Sequence, residues 1–441
     1  MLGRRLEYQS LKAVLLHMDA NVRFRISLHM PSIRSVEKVV PLKINSLVMV
    51  DGQTKVNDIY YKVEILRHYP ERNCPLLSRI NPLSDFDEFG FPVVSGANVL
   101  LPGDVSFQEE TLVVRRDTEE DEIEYRRQLS ACEKALMILN EFESRGLDVD
   151  DYLKILQAVP DEELSEEELE VRDVLTNEFD DPADCIRRFK LHILPFDCRK
   201  NNTKPPFNCY IQLSIWKEGS RQVKRYEYNR KCFEAAKHLH EVLFGDRTMP
   251  IRVGEFSLKS FDRICRLPVG FRLQVNEAHL SSETVTHRSV PLIVENWESL
   301  STLEIDMFYN GLEPDVYKSQ LVRNARRLII YRPLDDELDT LIQVIKNLPN
   351  WEIRILSCMG FSAPQFIDMI QAWLSGNRRV GASLWMHRLG VEETSHVVAW
   401  LLTRYEEIKR TMSSITFDLR NSTALEASCP SRILRMNIVQ V

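Results

Sequence analysis

The chain has 441 residues, of which 44% are hydrophobic and 28% charged, and its formal net charge is −8. This length predicts two to four domains with substantial cores, and the composition is ordinary for a folded protein. No apolar run approaches the ~20 residues of a membrane-spanning helix, and no apolar stretch follows the two N-terminal arginines as in a secretory signal. We therefore expect no membrane association and a cytoplasmic or nuclear location.

Cysteine and glycine usage argues against several kinds of site. The nine cysteines are scattered, and no two are spaced as CxxC. This pattern predicts mostly buried, reduced thiols rather than a disulfide framework or a zinc ribbon. Only 15 glycines occur and no two stand as GxG, which excludes the usual dinucleotide fingerprint and Walker loop. We expect no cofactor, no metal and no enzymatic activity; an enzyme with a site outside known motifs is the alternative.

Short helices are predicted at the N-terminus, in residues 1–41. Four apolar residues recur at i, i+3, i+4 and i+7 on one helix face: Leu11, Val14, Leu15 and Met18. Asp19 can cap a second helix, although the alternation of apolar residues over 20–28 also fits a short strand. Ser32 starts a third helical turn that ends before Pro41. Three helices this short must pack on the next part of the chain or on a partner.

Residues 42–116 are predicted to form a β-hairpin followed by loops. Apolar and polar residues alternate over 42–50 and 55–66, on either side of a turn. Residues 70–105 are rich in Pro, Asn, Asp and Gly, a composition typical of loops with short strands.

An acidic helical segment is predicted over residues 117–184. Its helix-boundary signals are Thr118 with Asp121, then Gly146, and finally Ser165 with Glu168. From residue 104 to residue 184 the chain carries 27 acidic and 8 basic residues. Such a charge run is typical of a solvated helical face with acidic loops. The alternative is a segment that covers the basic parts of the chain or recruits a basic partner.

Residues 185–290 are predicted to be a mixed α/β region. A helix is expected around residues 232–244, closed by Gly245. Strand patterns occur in four stretches: 187–196, 207–216, 250–261 and 270–280.

Residues 291–441 contain an internal repeat. "LSTLEI" at 300–305, "ARRLII" at 325–330 and "LPNWEI" at 348–353 share the form apolar-x-x-apolar-x-apolar, and each adjoins a helical stretch. Units of this length resemble the leucine-rich class of β/α solenoid. The alternative is a compact α/β domain with coincidental spacing. The predicted fold class is therefore α+β, with a three-helix N-terminal unit, a mixed α/β middle and an irregular leucine-rich-repeat-like solenoid.

Two motifs could serve as ligand sites. His238 and His240 in "HLHE" lie two residues apart on a helix and point in opposite directions, so they cannot share a metal ion; Glu234 is expected to pair with His238 at the surface. The basic, tyrosine-containing stretch 221–231 has a composition that can bind single-stranded nucleic acid. Ordinary alternation in a strand gives the same composition, and the acidic net charge disfavours this function.

Two tryptophans lie on apolar helix faces. Trp373 shares a face with Ile370 and Leu374, and Trp400 shares one with Val397 and Leu401. We predict that both belong to the core; exposed at a solenoid surface, they would instead anchor a partner.

The N-terminal stretch "SLKAVLLHMDANVRFRISLHMPSIRSVEK" resembles an F-box, the helical module that docks on the adaptor subunit of cullin–RING ubiquitin ligases. The resemblance implies that the docking residues are Leu11, Val14, Leu15, Met18 and Leu28.

The rest of the chain is similar to a nematode-expanded family of F-box-like proteins with a domain of unknown function. The matching stretches include "GFPVVSGANVLLPGDV", "RRDTEEDEIEYRRQL" and "YNRKCFEAAKHLHEVLFGDRTMPIRV". "FSAPQFIDMIQAWLSGNRRVGASLWM" resembles nematode F-box-associated repeats. The resemblance implies a non-enzymatic substrate receptor whose C-terminal region binds an unknown protein target. A scaffold that has lost adaptor docking is the first alternative, and a nucleic-acid-binding protein is a weaker one.

Overall fold

The computed structural model describes most of the chain. The described residues are 8–50, 52–70, 85–93, 99–106, 118–146, 152, 154, 158–160, 164–176, 181–259, 264–281, 290–306, 316–331, 341–356, 361–376, 378–387, 391–419, 422–429 and 433–440. The chain divides into two compact units, the first formed by residues 1–64, 98–111 and 211–441 and the second by 65–97 and 112–210. The five predicted segment boundaries stay predictions.

The helices lie at the N-terminus, in the middle of the chain and between the later strands. They are α1 (Tyr8–His17), α2 (Ala20–His29), α3 (Arg34–Val39), α4 (Glu119–Arg145), α5 (Glu166–Thr176), α6 (Pro182–Asn201), α7 (Cys232–Phe244), α8 (Val290–Ile293), α9 (Gln320–Asn324), α10 (Ala363–Ser375) and α11 (Val391–Arg404).

The strands are mostly five to ten residues long. They are β1 (Lys43–Val50), β2 (Gln53–Val56), β3 (Ile59–His68), β4 (Asp85–Phe86), β5 (Pro92–Val93), β6 (Val105–Ser106), β7 (Asn208–Lys217), β8 (Ser220–Glu227), β9 (Ile251–Lys259), β10 (Ile264–Cys265), β11 (Leu273–Ser281), β12 (Thr302–Asp306), β13 (Arg327–Tyr331), β14 (Glu352–Leu356), β15 (Ser383–His387), β16 (Glu407–Arg410), β17 (Ser414–Asp418), β18 (Thr423–Ser428) and β19 (Ile433–Gln440).

The three predicted N-terminal helices are present. Asp19 caps α2, because its carboxylate accepts a hydrogen bond of 2.8 Å from the Asn21 backbone N–H. The alternative strand over residues 20–28 is therefore wrong. The third helix is preceded by a 3-10 turn (Pro31–Ile33), so its α-helical part begins at Arg34.

The predicted hairpin is part of a larger sheet. β1 pairs antiparallel with β2, and β2 with β3. The second predicted strand, 55–66, is divided by a turn at Asn57, whose φ is 54°. On its other side β1 pairs in parallel with β9, with Leu47 opposite Phe256. The N-terminal part of the chain thus enters the same sheet as the C-terminal third.

This fifteen-stranded sheet follows the order β16-β17-β18-β19-β15-β14-β13-β12-β11-β9-β1-β2-β3-β7-β8. Six strands of this sheet, β9 and β11 to β15, are parallel to one another. Thr302, Arg327 and Glu352 are register partners, so β12, β13 and β14 repeat at a constant 25-residue offset. β19 then pairs antiparallel with β15. The fold is mixed α/β with an N-terminal helical stretch and a large sheet; the solenoid stays a prediction.

Helices α10 and α11 cover one face of the parallel strands. Phe366, Met369, Ile370 and Trp373 of α10 are buried, and so are Val397 and Leu401 of α11. They join one core cluster with the inward residues of β11 to β15 and β19. Trp373 is 0% exposed, as predicted for a core residue, whereas Trp400 is half-buried against the same core.

The second unit contains the acidic helices. Both predicted capping boxes are present: Asp121 N–H bonds Thr118 Oγ1 at 3.1 Å, and Ser165 N–H bonds the Glu168 carboxylate at 2.9 Å. Gly146 ends α4 in the left-handed conformation. Ala131 and Ala135 of α4 pack against α5. Among all the described cysteines, five of seven are buried, in line with the predicted thiols.

The predicted strand over residues 187–196 is wrong, because these residues lie inside helix α6. The alternation of Phe189, Leu191 and Ile193 indicated a strand, but the start of the segment carries a stronger helix signal. Asp181 caps the helix by accepting from Ala183 N–H at 3.0 Å, and a proline at the first helical position has a φ suited to a helix.

A buried ionic cluster ties the N-terminal helices to the end of α7. Glu37 of α3 is 1% exposed, and its carboxylate contacts the guanidinium groups of Arg23 at 2.9 Å and Arg247 at 2.8 Å. Lys38 donates to the backbone oxygen of Val242, 3.0 Å away, at the C-terminal turn of α7. Burial and the nearby Arg247 lower the pKa of Lys38 to about 8.

Glu37→Gln would leave two buried guanidinium groups without their carboxylate. Removal of one member of a buried charge network costs about 3–5 kcal/mol of unfolding free energy, and we expect a loss of that size. Urea unfolding followed by tryptophan fluorescence measures it selectively, because all six tryptophans lie in the first unit. The exposed pair of Glu407 and Arg410 provides the control, since solvent screens this pair and Glu407→Gln should leave the unfolding free energy nearly unchanged. Equal losses in the two variants would contradict the role of Glu37.

Candidate interaction surfaces

The five predicted docking residues separate into two groups. Leu15 is 1% exposed and packs with Val36 of α3 and with Val40, the residue after α3. Leu11 and Met18 are partly buried against the same small cluster. Val14 and Leu28 are 45% and 48% exposed. The helical spacing therefore identified a real apolar face, but three of its residues contact the chain itself.

Other apolar side chains of this segment are also exposed. They are Tyr8 and Leu16 of α1, Met30 between α2 and α3, and Val39 of α3. Burial of apolar surface is favourable, so these side chains, together with Val14 and Leu28, could stabilise a complex without unpacking the helices.

A second surface lies on the parallel strands, opposite the core. Successive residues of a strand point to opposite faces, and the residues of β12 to β15 that alternate with the core residues carry mostly polar side chains. Three of these alternating residues are buried: Thr302, Ile329 and Ser383. One row of register partners reads His279, Glu304, Ile329, Arg354, Trp385 and Arg435. The next row reads Glu277, Thr302, Arg327, Glu352, Ser383 and Asn437. We call these two rows the polar face.

Ion pairs form within and between the strands of the polar face. Glu352 lies between two arginines: Arg327 Nε donates to its carboxylate at 2.9 Å, and Arg354 Nε donates to its other oxygen. Burial raises the pKa of Glu352, but the hydrogen bonds from the two arginines outweigh it and leave the pKa below its usual value. His279 donates from Nδ1 to Glu304 at 2.9 Å.

An aromatic side chain with two arginines stands at one end of the polar face. The guanidinium carbons of Arg354 and Arg435 lie 4.2 and 4.3 Å from the ring centroid of Trp385. The His387 ring stacks at 6.5 Å from the same indole. Burial, and then the charge of Arg354, lower the pKa of His387. We call these four residues the Trp385 cluster.

Sequence reasoning missed the Trp385 cluster. Trp385 stands in "GASLWMH", which the repeat pattern identified as strand-like, and period-two alternation could have put it opposite Leu384 and Met386. No local sequence signal indicates that Arg435 lies beside Trp385. Arg435 is on β19 and Trp385 on β15, and these two strands come from distant segments that pair antiparallel.

The histidine motif of α7 forms no metal site. His238 is exposed and lies 3.6 Å from Glu241, so its predicted pairing with Glu234 is wrong; Glu234 instead accepts a hydrogen bond from Lys231 N–H. His240 is enclosed, with Nδ1 bonded to the Arg266 carbonyl. Within the described part of the chain, no three His, Cys, Asp or Glu side chains could together hold a metal ion.

A groove of about 540 Å³ runs along α7 next to residues 101–102. Beneath it, the Asp104 carboxylate is 0% exposed and pairs with Lys237 and Arg266, each at 2.8 Å. Lys237 also donates to the backbone oxygens of Pro102 and Leu267. These buried groups satisfy one another, so they hold the 99–106 segment on the sheet and are not exposed for chemistry.

The basic stretch 221–231 forms most of β8 and the turn after it. Every residue of β8 is exposed, and the strand lies at the end of the sheet. Arg221 and Arg225 donate to Ser214 and Gln212 of neighbouring β7. The alternation in this stretch is therefore that of a strand; nucleic-acid binding stays a prediction.

These observations define the protein as a mixed α/β chain with two candidate interaction surfaces. Residues 231–387 match a family described as a domain of unknown function (DUF3557). The match extends from the residue before α7 to the last residue of β15. No curated protein and no solved structure matches the chain significantly. Of the described helices, none is both long and apolar enough to cross a membrane.

The contact of His279 with Glu304 predicts a pH-dependent contribution to stability. The hydrogen bond to Glu304 outweighs burial and raises the pKa of His279 above 6.5, with further contributions from Glu255 and Glu277. Stabilisation from a raised pKa is complete below the unfolded value and is lost as pH rises through the folded one. Glu304→Gln should therefore lower the unfolding free energy more at about pH 5.5 than at about pH 8.5.

Urea unfolding of both proteins at the two pH values measures this difference. In a His279→Gln background the pH dependence of the Glu304→Gln effect should disappear. An effect that is equal at both pH values in the parent background would contradict the ionic character of the pair.

Proposed function

We propose that this protein is a non-enzymatic substrate receptor of a cullin–RING ubiquitin ligase. Its N-terminal helices would dock on the adaptor subunit of the ligase, and its C-terminal third would bind the protein to be modified. The F-box-like sequence of residues 10–38 motivates the first part of the proposal.

The observation that carries the proposal is the exposure of Val14 and Leu28. The N-terminal helices are held by other residues: Leu15 packs inside them, Phe24 packs on Phe244, and Arg23 forms buried hydrogen bonds. The exposed apolar side chains are therefore not required for folding. Exposed apolar side chains grouped on one short segment support a contact with another protein.

The polar face supports the second part of the proposal. Parallel strands repeated at a 25-residue offset, with helices on one side and polar side chains on the other, are the arrangement expected of a leucine-rich-repeat-like solenoid. In such an arrangement the side chains of neighbouring strands combine into one extended surface for a protein target. The polar face has the mixture of charged, aromatic and apolar residues that such surfaces use.

An interaction scaffold that has lost adaptor docking is the second candidate. It is favoured by the packing of Leu11, Leu15 and Met18, because three of the five F-box-like positions are used within the chain. In that case the same C-terminal surface would bind a partner without recruiting a ligase.

Binding of the purified protein to the purified adaptor subunit tests the choice. We expect the parent to bind, and Val14→Asp with Leu28→Asp to weaken the affinity at least about tenfold, because each change puts a charge into an apolar contact. Both sites are exposed, so the melting temperature should stay unchanged. Isothermal titration calorimetry gives the dissociation constants.

The matched control is Val223→Asp with Leu402→Asp, which exchanges the same residue types at 42% and 40% exposure outside the N-terminal segment. This variant should bind like the parent. Absence of adaptor binding by the parent would reject the receptor function in favour of the scaffold. Binding by the Val14 and Leu28 variant at parental affinity would reject this surface as the docking site.

A further inference from the structure

The Trp385 cluster has more positive charge than its surroundings neutralise. Arg354 shares the single carboxylate of Glu352 with Arg327. Arg435 is exposed, and its Nε bonds to the neutral amide oxygen of Asn437 at 3.2 Å. Within the described residues Arg435 makes no ion pair, so its charge is available to a partner.

A carboxylate on the neighbouring strand already has a hydrogen-bond partner. Glu426 on the adjacent strand β18 accepts a hydrogen bond from the Asn437 amide at 3.4 Å. Two nitrogens in the cluster are also unsatisfied: Trp385 Nε1 and His387 Nε2 are buried and have no hydrogen-bond partner among the described residues. A buried donor without an acceptor is costly, so an incoming acceptor that reaches the indole N–H would be favoured.

The geometry of the cluster selects the kind of ligand. The two guanidinium carbons lie 4.2 and 4.3 Å from one ring centroid, so they are at most about 8.5 Å apart. Side chains at i and i+2 of an extended strand lie on one side of it, about 7 Å apart. Two carboxylates with this spacing can therefore reach both arginines at once, and guanidinium groups bind carboxylates with paired hydrogen bonds.

A nucleic acid fits the cluster less well. Its bases would need an open aromatic face for stacking, but Arg354 and Arg435 approach the Trp385 indole from the strands on its two sides. The chain as a whole is also acidic, so long-range attraction would not concentrate a polyanion here.

We propose that the Trp385 cluster is a binding site for an extended protein segment with two carboxylates at positions i and i+2. Arg354 and Arg435 would each bind one carboxylate, and the indole would hold the two guanidinium groups apart. This inference rests on the proposed function only in treating the C-terminal third as the surface that binds a protein target.

The test uses a short fluorescein-labelled peptide with two glutamates at i and i+2, and the same peptide with glutamine at both positions. Fluorescence anisotropy with the full chain should give binding of the first peptide, at least about tenfold tighter than the second. Binding should weaken when NaCl is raised from about 50 mM to about 500 mM. Equal binding of both peptides, or no binding of the first, would overturn the inference.

The peptide affinities of the Arg354→Gln and Arg435→Gln variants show whether the peptide binds at the Trp385 cluster. Each should reduce the affinity at least about tenfold, and Arg435 is exposed, so its replacement leaves the core intact. Arg272→Gln and Arg410→Gln, which alter exposed arginines outside the cluster, are the controls and should bind like the parent. Parental affinity in both cluster variants would overturn the assignment.

The same variants separate this inference from the proposed function. Arg354→Gln and Arg435→Gln should keep adaptor binding, and the Val14 and Leu28 variant should keep peptide binding. If the parent binds the adaptor but not the two-glutamate peptide, the Trp385 binding site is rejected and the receptor function is not. If the parent binds the peptide but not the adaptor, the receptor function is rejected and the Trp385 binding site is not.

Discussion

The buried Glu37 carboxylate makes the ion pairs on which the position of the N-terminal helices depends. It lies between Arg23 and Arg247, which are separated by more than two hundred residues, and it fixes α3 against the last turn of α7. A buried charge is tolerated only when it is paired and hydrogen-bonded. The helices that carry the exposed apolar residues are therefore a fixed part of the first unit, and any partner that they bind is held at a defined position relative to it.

The sheet connects the two candidate surfaces. β1 follows the N-terminal helices directly and pairs with β9, from which the parallel strands continue to β15. Val14 and Leu28 precede this sheet in the chain, and the Trp385 cluster lies near its other end, on β14, β15 and β19. Both surfaces belong to the first unit and consist of separate groups of residues, so the proposed adaptor and target contacts would not use the same side chains. A receptor and a scaffold would both require two binding surfaces that are separate in this way.

Local signals in the sequence predicted most helices and strands. They could not predict which strands from distant segments pair with each other. The caps at Asp19, Thr118 and Ser165 depend on a few neighbouring residues, so they could be identified. α6 was mistaken for a strand because three alternating apolar residues outweighed the Asp-Pro signal at its start. The parallel pairing of β1 with β9 has no local signature. The Trp385 cluster was missed for the same reason, since it exists only once β19 lies beside β15.

The match to the domain of unknown function covers residues 231–387, and strands at both margins of this segment have partners outside it. β9 pairs with β1, and β15 pairs with β19. The matched segment therefore does not contain all the strands that pair with its own strands. If residues 231–387 were made alone, β9 and β15 would each have an unpaired edge, and unpaired edges favour aggregation. During synthesis, β15 leaves the ribosome before its antiparallel neighbour β19 has been made, so one edge of the parallel strands stays unpaired until the later segment arrives.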